Sequence, residues 1–403
     1  MMKRIYAYCL LAAAAFSLQS CLDMDMAGLY DGDLHSLEIL LSPPGDAGDI
    51  VFDGAVVRLR EINSDADYTA ACDARGVARI SLPNGIYMAS TSLTGGEYRY
   101  GGSVSGIIVG GSDASCSIAL ARTRVSDIVI KEIYCGGCMK YPQEGTYQTD
   151  SYFILHNNSA NTVYLDGLCF GTLDPYNSNS APVWGTDPGF VPIIQAIWQF
   201  SGEGSDFPLG AGEDAVVAVF GAIDHSAYYP MSVDLNREDV FVCYNPTYFP
   251  NAMWHPAPGD KVSPDRYLSV VIKTGQANAY TFSVSSPALV IFRAEGETIQ
   301  EFVSRSENVV QKPGSSRDRV VCLPPEWVLD GVEVFTGESS SNKKRLDASI
   351  DASYVTLSKT CEGHSLMRRV DEEASLAAGR EILVDTNDSL EDFYESETQS
   401  LHR

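Results

Sequence analysis

Few groups in this chain are spaced for chemistry. Cys135-Gly136-Gly137-Cys138 has the spacing of a redox pair or of half a tetrahedral metal site. A redox CxxC opens a helix whose N-terminal amides stabilise the thiolate. Here the motif follows a strand-like run and meets Met139-Lys140-Tyr141-Pro142, with no helix signal, and a zinc site would need a second CxxC or an HxxxH that the sequence lacks. A structural disulfide or packed thiols is the preferred reading. His35, His156, His225, His255, His364 and His402 are scattered. Asp224-His225-Ser226 invites a Ser/His/Asp reading, but no Gly-x-Ser-x-Gly elbow supplies an exposed nucleophile. P-loop, His-Glu-x-x-His and dinucleotide fingerprints are missing as well. Asp385 to Asp392 sets oxygen ligands at the short spacing of a calcium loop; without that loop's turn glycine, a hydrogen-bonded Asx turn is preferred. No metal, cofactor or catalytic residue is therefore expected. A carbohydrate-active hydrolase stays open, because two carboxylates at the right separation suffice.

The more suggestive surface is aromatic. From Tyr141 to Phe200, eleven of sixty residues are Phe, Trp or Tyr, many within a Gly/Pro/Asn/Ser-rich stretch. Tyr176, Trp184, Phe190 and, further on, Trp254 are the candidates for a platform on which a sugar ring or partner protein stacks. The competing reading is a small local core, favoured for Trp198 at the end of the apolar run Val191 to Ile197.

Positioning such residues requires elements, and nearly all the elements read as strands. Val57 and Leu59 alternate with Arg58 and Arg60 at period two. Turn residues punctuate the runs at Ser42-Pro43-Pro44-Gly45, Asp73-Ala74-Arg75-Gly76, Pro83-Asn84-Gly85 and Gly95-Gly96. The strand Ala55 to Leu59, the Asp73-to-Gly76 hairpin and Leu82-Pro83-Asn84-Gly85-Ile86-Tyr87 resemble the carboxypeptidase-regulatory or transthyretin-like β-sandwich, which implies a spacer or adhesive module over residues 35–122. Ile128-Val129-Ile130-Lys131-Glu132-Ile133, the strand ending at Asn157 and Leu165-Asp166-Gly167 resemble the opening of a lamin-tail, immunoglobulin-like sandwich, expected over 124–393. Ile154 and His156 depart from its usual Glu and Tyr, and a long insertion is expected at about 168–206.

Further segments resemble an uncharacterised Bacteroidetes lipoprotein family built around that fold, a domain of unknown function: Leu173 to Ser178, Trp327 to Val332, Lys344-Arg345-Leu346, Ser365 to Arg369 and Asp385 to Phe393. The expected fold class is mainly β, two tandem β-sandwiches, ending in an acidic tail at 394–403. From Asp371 onward ten Asp and Glu face two Arg, and a solvated or frayed end is the expectation.

The address is read from the first residues. Lys3 and Arg4 precede the apolar run Ile5 to Leu18, shorter than the ~20 residues of a membrane helix, so residues 1–20 read as a cleaved signal peptide. Leu18-Gln19-Ser20-Cys21 resembles the bacterial lipobox, which implies acylation of Cys21, a tether over 21–34 and an outer-membrane location, expected at the cell surface, in which the lipid anchor meets the membrane. Eight further cysteines allow many pairings; Cys72 with Cys116 and Cys135 with Cys138 are the two expected disulfides. Asp388-Ser389-Leu390 resembles a short O-glycosylation acceptor motif, with Ser389 as acceptor. The net charge of −25, deepened by two when Lys3 and Arg4 leave, argues against nucleic acid as a partner, because that affinity comes from Lys and Arg releasing condensed counterions. The expectation is a non-catalytic surface lipoprotein that binds a glycan or partner protein, accessory to an outer-membrane nutrient transporter, with a hydrolase or a purely structural component as alternatives.

Overall fold

The computed structural model describes residues 34–402 except 46, 48–49, 65, 96–97, 186–187 and 338–340. The expected signal peptide, Cys21 and the tether lie outside the described residues. The chain is mainly β.

Its first sandwich is built from local alternation. In strand His35–Ser42, Leu37, Ile39 and Leu41 are buried while Glu38 and Leu40 are exposed. This strand is central in a three-stranded sheet, antiparallel to Val77–Leu82 and parallel to Ala114–Ala119. A five-stranded sheet faces it, in the order Asp67–Ala71, Val56–Glu61, Gly85–Gly95, Tyr98–Val109, Ala121–Arg124. Val57, Leu59, Tyr87 and Ile118 close the core between them. The turn at Asp73 forms as its motif implies: the Asp73 carboxylate accepts from the N–H groups of Arg75 and Val77, and Gly76 takes a φ of 76°.

The second sandwich is larger. A six-stranded sheet runs Val240–Val242, Asp214–Ala218, Tyr152–Asn157, Ile128–Tyr134, Ser365–Arg368, Phe393–Ser396. It packs on an eight-stranded sheet whose path is Val309–Gln311, Arg319–Leu323, Val191–Gln199, Cys169–Leu173, Ala288–Phe292, Val328–Thr336, Val355–Leu357, with Ser269–Lys273 also paired to Val191–Gln199. Phe153 and Phe170 meet edge to face across this core at 4.9 Å, and Trp198 stacks on Phe249 at 5.6 Å. The outer face of the larger sheet is covered by the helix Ile299–Ser304, which inserts Ile299 and Phe302 and starts at a Thr298/Glu301 capping box.

Two expectations about organisation are corrected. Residues 168–206 are not an insertion outside the sandwich: they supply Cys169–Leu173 and Val191–Gln199, both interior strands of the eight-stranded sheet. Their apolar content is the content of strands buried on both faces, which lack polar alternation. The segment 394–403 is no frayed tail either. Phe393–Ser396 forms the sheet edge, Gln399 is buried, and the N–H of Ser400 donates to the buried Glu132 at 3.1 Å.

The two expected disulfides are absent, and all eight described cysteines are free. Cys72 pairs with Ala78, Ala78 with Ile39, and Ile39 with Cys116, one row across the sheet. Three steps of ~4.8 Å separate the two thiols, about twice the reach of a disulfide. Cys135 turns into the main core whereas Cys138 lies beside Asp150. Burial pushes both thiols up to about 12, the opposite of a redox pair.

Candidate binding site

Strand Cys169–Leu173 ends at Asp174, and the chain returns to the same sheet at Val191. The connection between them carries three of the four aromatic candidates. Its first part is pinned: the Tyr176 hydroxyl donates to the Phe282 carbonyl and lies 3.0 Å from Thr281 Oγ1, and Ser178 Oγ donates to Asn342 Oδ1 at 2.6 Å. Its second part carries Trp184 and Phe190, edge to face at 5.5 Å and 73°. Asp174, 2% exposed, accepts from Trp184 Nε1 at 3.1 Å and from the Lys312 ammonium. The indole is thus held from below by a buried carboxylate that a lysine neutralises.

These rings wall a surface cleft completed by Pro188, Pro325, Lys344 and Arg345. The floor is rigid for an electrostatic reason. The side chains of Arg345 and Glu333 are both fully buried and form an ion pair at 2.6 Å; the guanidinium also donates to the carbonyls of Pro175, Ser286 and Val334. A buried pair this fully hydrogen-bonded fixes geometry, since either partner alone would be an uncompensated charge.

Of the candidate residues, the cleft brings together Trp184 and Phe190. Tyr176 is turned inward and anchors the loop. Trp254 packs on Phe220 at 5.3 Å beside the main core and does not line the cleft. Ser389 is 2% exposed, and its hydroxyl donates to Asp351 Oδ2 at 2.6 Å, so the folded chain does not offer it for glycosylation. Asp224 and His225 are not a dyad. The Asp224 carboxylate caps a turn through Ser226 and Ala227, while His225 accepts from or donates to Tyr147 OH at 2.6 Å and bonds the Gly221 carbonyl at 2.7 Å. Burial holds His225 below its ordinary value, so the neutral ring donates from Nε2 to Gly221 and accepts from Tyr147.

Two clusters were invisible in the sequence. His156, Asp214 and Glu381 place three ligand-type atoms within 4.8 Å of one another. Lys131 Nζ lies on both carboxylates, 2.8 Å from Asp214, so an ammonium already fills the cation position. Burial pushes the Asp214 carboxyl upward, yet the bonds from His156 and Lys131 hold it below the ordinary range. The second cluster is Arg368, with Asp330 at 2.5 Å, Asp392 at 3.2 Å and Asp385 at 3.3 Å. The short acidic spacing at 385–392 therefore serves an arginine and not calcium.

Fold and cleft together define a mainly β protein of tandem sandwiches with an aromatic-walled surface cleft. Residues 211–400 match the family model DUF4876, a protein of unknown function. Among solved structures the chain is similar to a DUF4876 family protein from Bacteroides thetaiotaomicron VPI-5482, with 25% identity and a TM-score of 0.58 over 89% of this chain and 94% of that one. It matches far more loosely two DUF3823 family proteins. The one from Parabacteroides merdae ATCC 43184 is 10% identical, with a TM-score of 0.18 over 36% of this chain and 69% of that one. The other, from Bacteroides ovatus ATCC 8483, is 10% identical, with a TM-score of 0.17 over 36% and 67%. Likeness at that level carries no argument. No curated protein matches the chain.

Proposed function

We propose that this chain is a non-catalytic lipoprotein of the DUF4876 kind, anchored through Cys21 at the outer-membrane surface, and that it grips a glycan in the Trp184–Phe190 cleft. The observation that carries this reading is the mounting of Trp184. A partly exposed indole is fixed by a buried, neutralised carboxylate on the connection between two core strands. Aromatic faces stack on the apolar faces of sugar rings, and a ring already immobilised loses little conformational entropy on binding. The first sandwich acts as the spacer between lipid and cleft, beside a nutrient transporter as partner. Among the described residues no helix is long and apolar enough to cross a membrane.

The test is retention of the purified chain on a broad glycan array, repeated with Trp184→Ala. Loss of roughly 1–3 kcal/mol of binding, about ten- to a hundredfold, is expected for the variant. Failure of the unmodified chain to retain any glycan would sink the reading and leave the purely structural role. Release of reducing ends from a polysaccharide, abolished by one Asp or Glu substitution, would replace it with a hydrolase. Protease shaving of intact cells checks the address: a fully protected chain faces the periplasm.

A further inference from the structure

The cleft wall contains, among the described residues, one ammonium without a hydrogen-bond acceptor. Among the described residues, Lys344 Nζ has no hydrogen-bond partner and is shut off from solvent. Asp174 is neutralised by Lys312 and Arg345 by Glu333, while the exposed Asp347 carboxylate on the same wall accepts from the Ser349 N–H at 2.8 Å. The fully buried Asp351 feels the Lys344 charge, but its oxygens are saturated. Oδ1 accepts from the N–H groups of Ser389 and Ser353, and Oδ2 accepts from the Ser389 hydroxyl and the Glu333 N–H. Three ammonium donors are left over in a place where each unmade hydrogen bond to a charged group costs on the order of 1–3 kcal/mol.

We propose that the missing acceptor is the ligand, and that the cleft takes an anionic glycan whose carboxylate or sulfate is bound by Lys344 while a neighbouring ring packs on Trp184 and Phe190. This rests on the glycan reading of the same cleft. Lysine suits the task because its ammonium is a point charge on a flexible four-carbon stem that can turn into the cleft it lines. A chain of net charge −25 repels polyanions at long range, so an acidic sugar needs a local, desolvated cation to be held at all.

The experiment compares matched polymers: polygalacturonic acid against its methyl ester, and dextran sulfate against dextran. The unmodified chain should prefer the charged member of one pair, and which pair responds distinguishes carboxylate from sulfate. Lys344→Gln should weaken that member about tenfold and leave the neutral one unchanged, Lys344→Arg should restore part of the preference, and Trp184→Ala should weaken both. Lys344→Gln should remain folded, read by its unfolding transition, although the buried Asp351 loses a cation that acts on it. Equal retention of charged and neutral members, or unchanged retention by Lys344→Gln, overturns the anionic ligand and leaves the glycan reading standing. Unfolding of Lys344→Gln shows the ammonium to be structural and overturns it too. No retention of any polymer removes the glycan reading, and the inference with it.

Discussion

Arg368 shows what single residues do in this protein. Its guanidinium faces Asp330, Asp385 and Asp392, donates through Nε to the Ile130 carbonyl at 2.7 Å and lies 4.6 Å from the Phe393 ring centre. Removing the cation leaves the buried Asp330 and Asp392 without compensation and Asp385 with Arg99 alone, so Arg368→Met should destabilise the fold by about 3–5 kcal/mol, read by denaturant unfolding. A smaller effect at neutral pH would mean that the acids are already neutral. Asp388 gives a pH-dependent counterpart. Burial, and then the Asp351 charge, push its carboxyl up to about 6. Between the unfolded value of roughly 4 and that value, the folded chain holds a proton the unfolded chain has released. Stability therefore falls as pH rises through this window, and the penalty is complete above it. Asp388→Asn should flatten that slope and stabilise the chain at pH 7 by on the order of 1–3 kcal/mol, with little effect near pH 4. Calorimetry at a series of pH values checks it; a parallel slope in the variant would exclude Asp388 as the titrating group. For the thiols, alkylation of the denatured chain without reductant should modify all eight described cysteines, and a labelled count two short would reveal a disulfide.

At the scale of elements, the C-terminal strand is the clearest case of sequence and structure disagreeing. Ten acids from Asp371 onward read as a solvated end, yet the short strand Phe393–Ser396 pairs with Ser365–Arg368 and Phe393 reaches the main core. The carboxylates that composition counts as exposed are partly the ones that Arg368 and His364 bind. Deleting 394–402 should lower stability by several kcal/mol, because it strips the sheet edge and leaves Glu132 without Ser400; an unchanged unfolding midpoint would restore the description of a dispensable tail. The interior strand Val191–Gln199 makes the complementary point. Trp198 was legible as core from the apolar run around it, whereas its place between Phe170 and Val270 of two other strands was not, since strand order is set by partners far away in sequence.

In the whole molecule the two sandwiches meet through polar contacts. Arg99 pairs with Asp385 at 3.2 Å, Arg58 with Glu391, Ser92 with the Thr386 carbonyl, and Asn387 Nδ2 donates to Thr123 Oγ1 at 2.8 Å. The outward arginine positions of strand Val56–Glu61 thus face out of one core and into the junction. The same segment, 385–392, serves both the junction and the Arg368 cluster, so its local order couples the sandwiches. Arg58→Ala combined with Arg99→Ala should split a single calorimetric transition into two, and a single unchanged transition would place the coupling elsewhere.

By itself the sequence determined the β class, the period-two strands of the first sandwich and the turns at Asp73 and Pro83; of its four aromatic candidates, only the structure chose Trp184 and Phe190 as a pair. The class, strands and turns follow from alternation and turn chemistry over a few residues, which physics reads locally. The motifs that resembled a lipoprotein family proved to be polar parts of the interior: Asp330, Arg345, Arg368, Asp385 and Asp392 are all held in buried ion pairs. Tertiary structure alone decided which carboxylate meets which cation, which cysteines stay apart and which lysine has no hydrogen-bond acceptor among the described residues. Those outcomes depend on groups far apart in sequence, 286 residues in the case of Arg99 and Asp385, and on burial that turns an ordinary charge into one that must be matched.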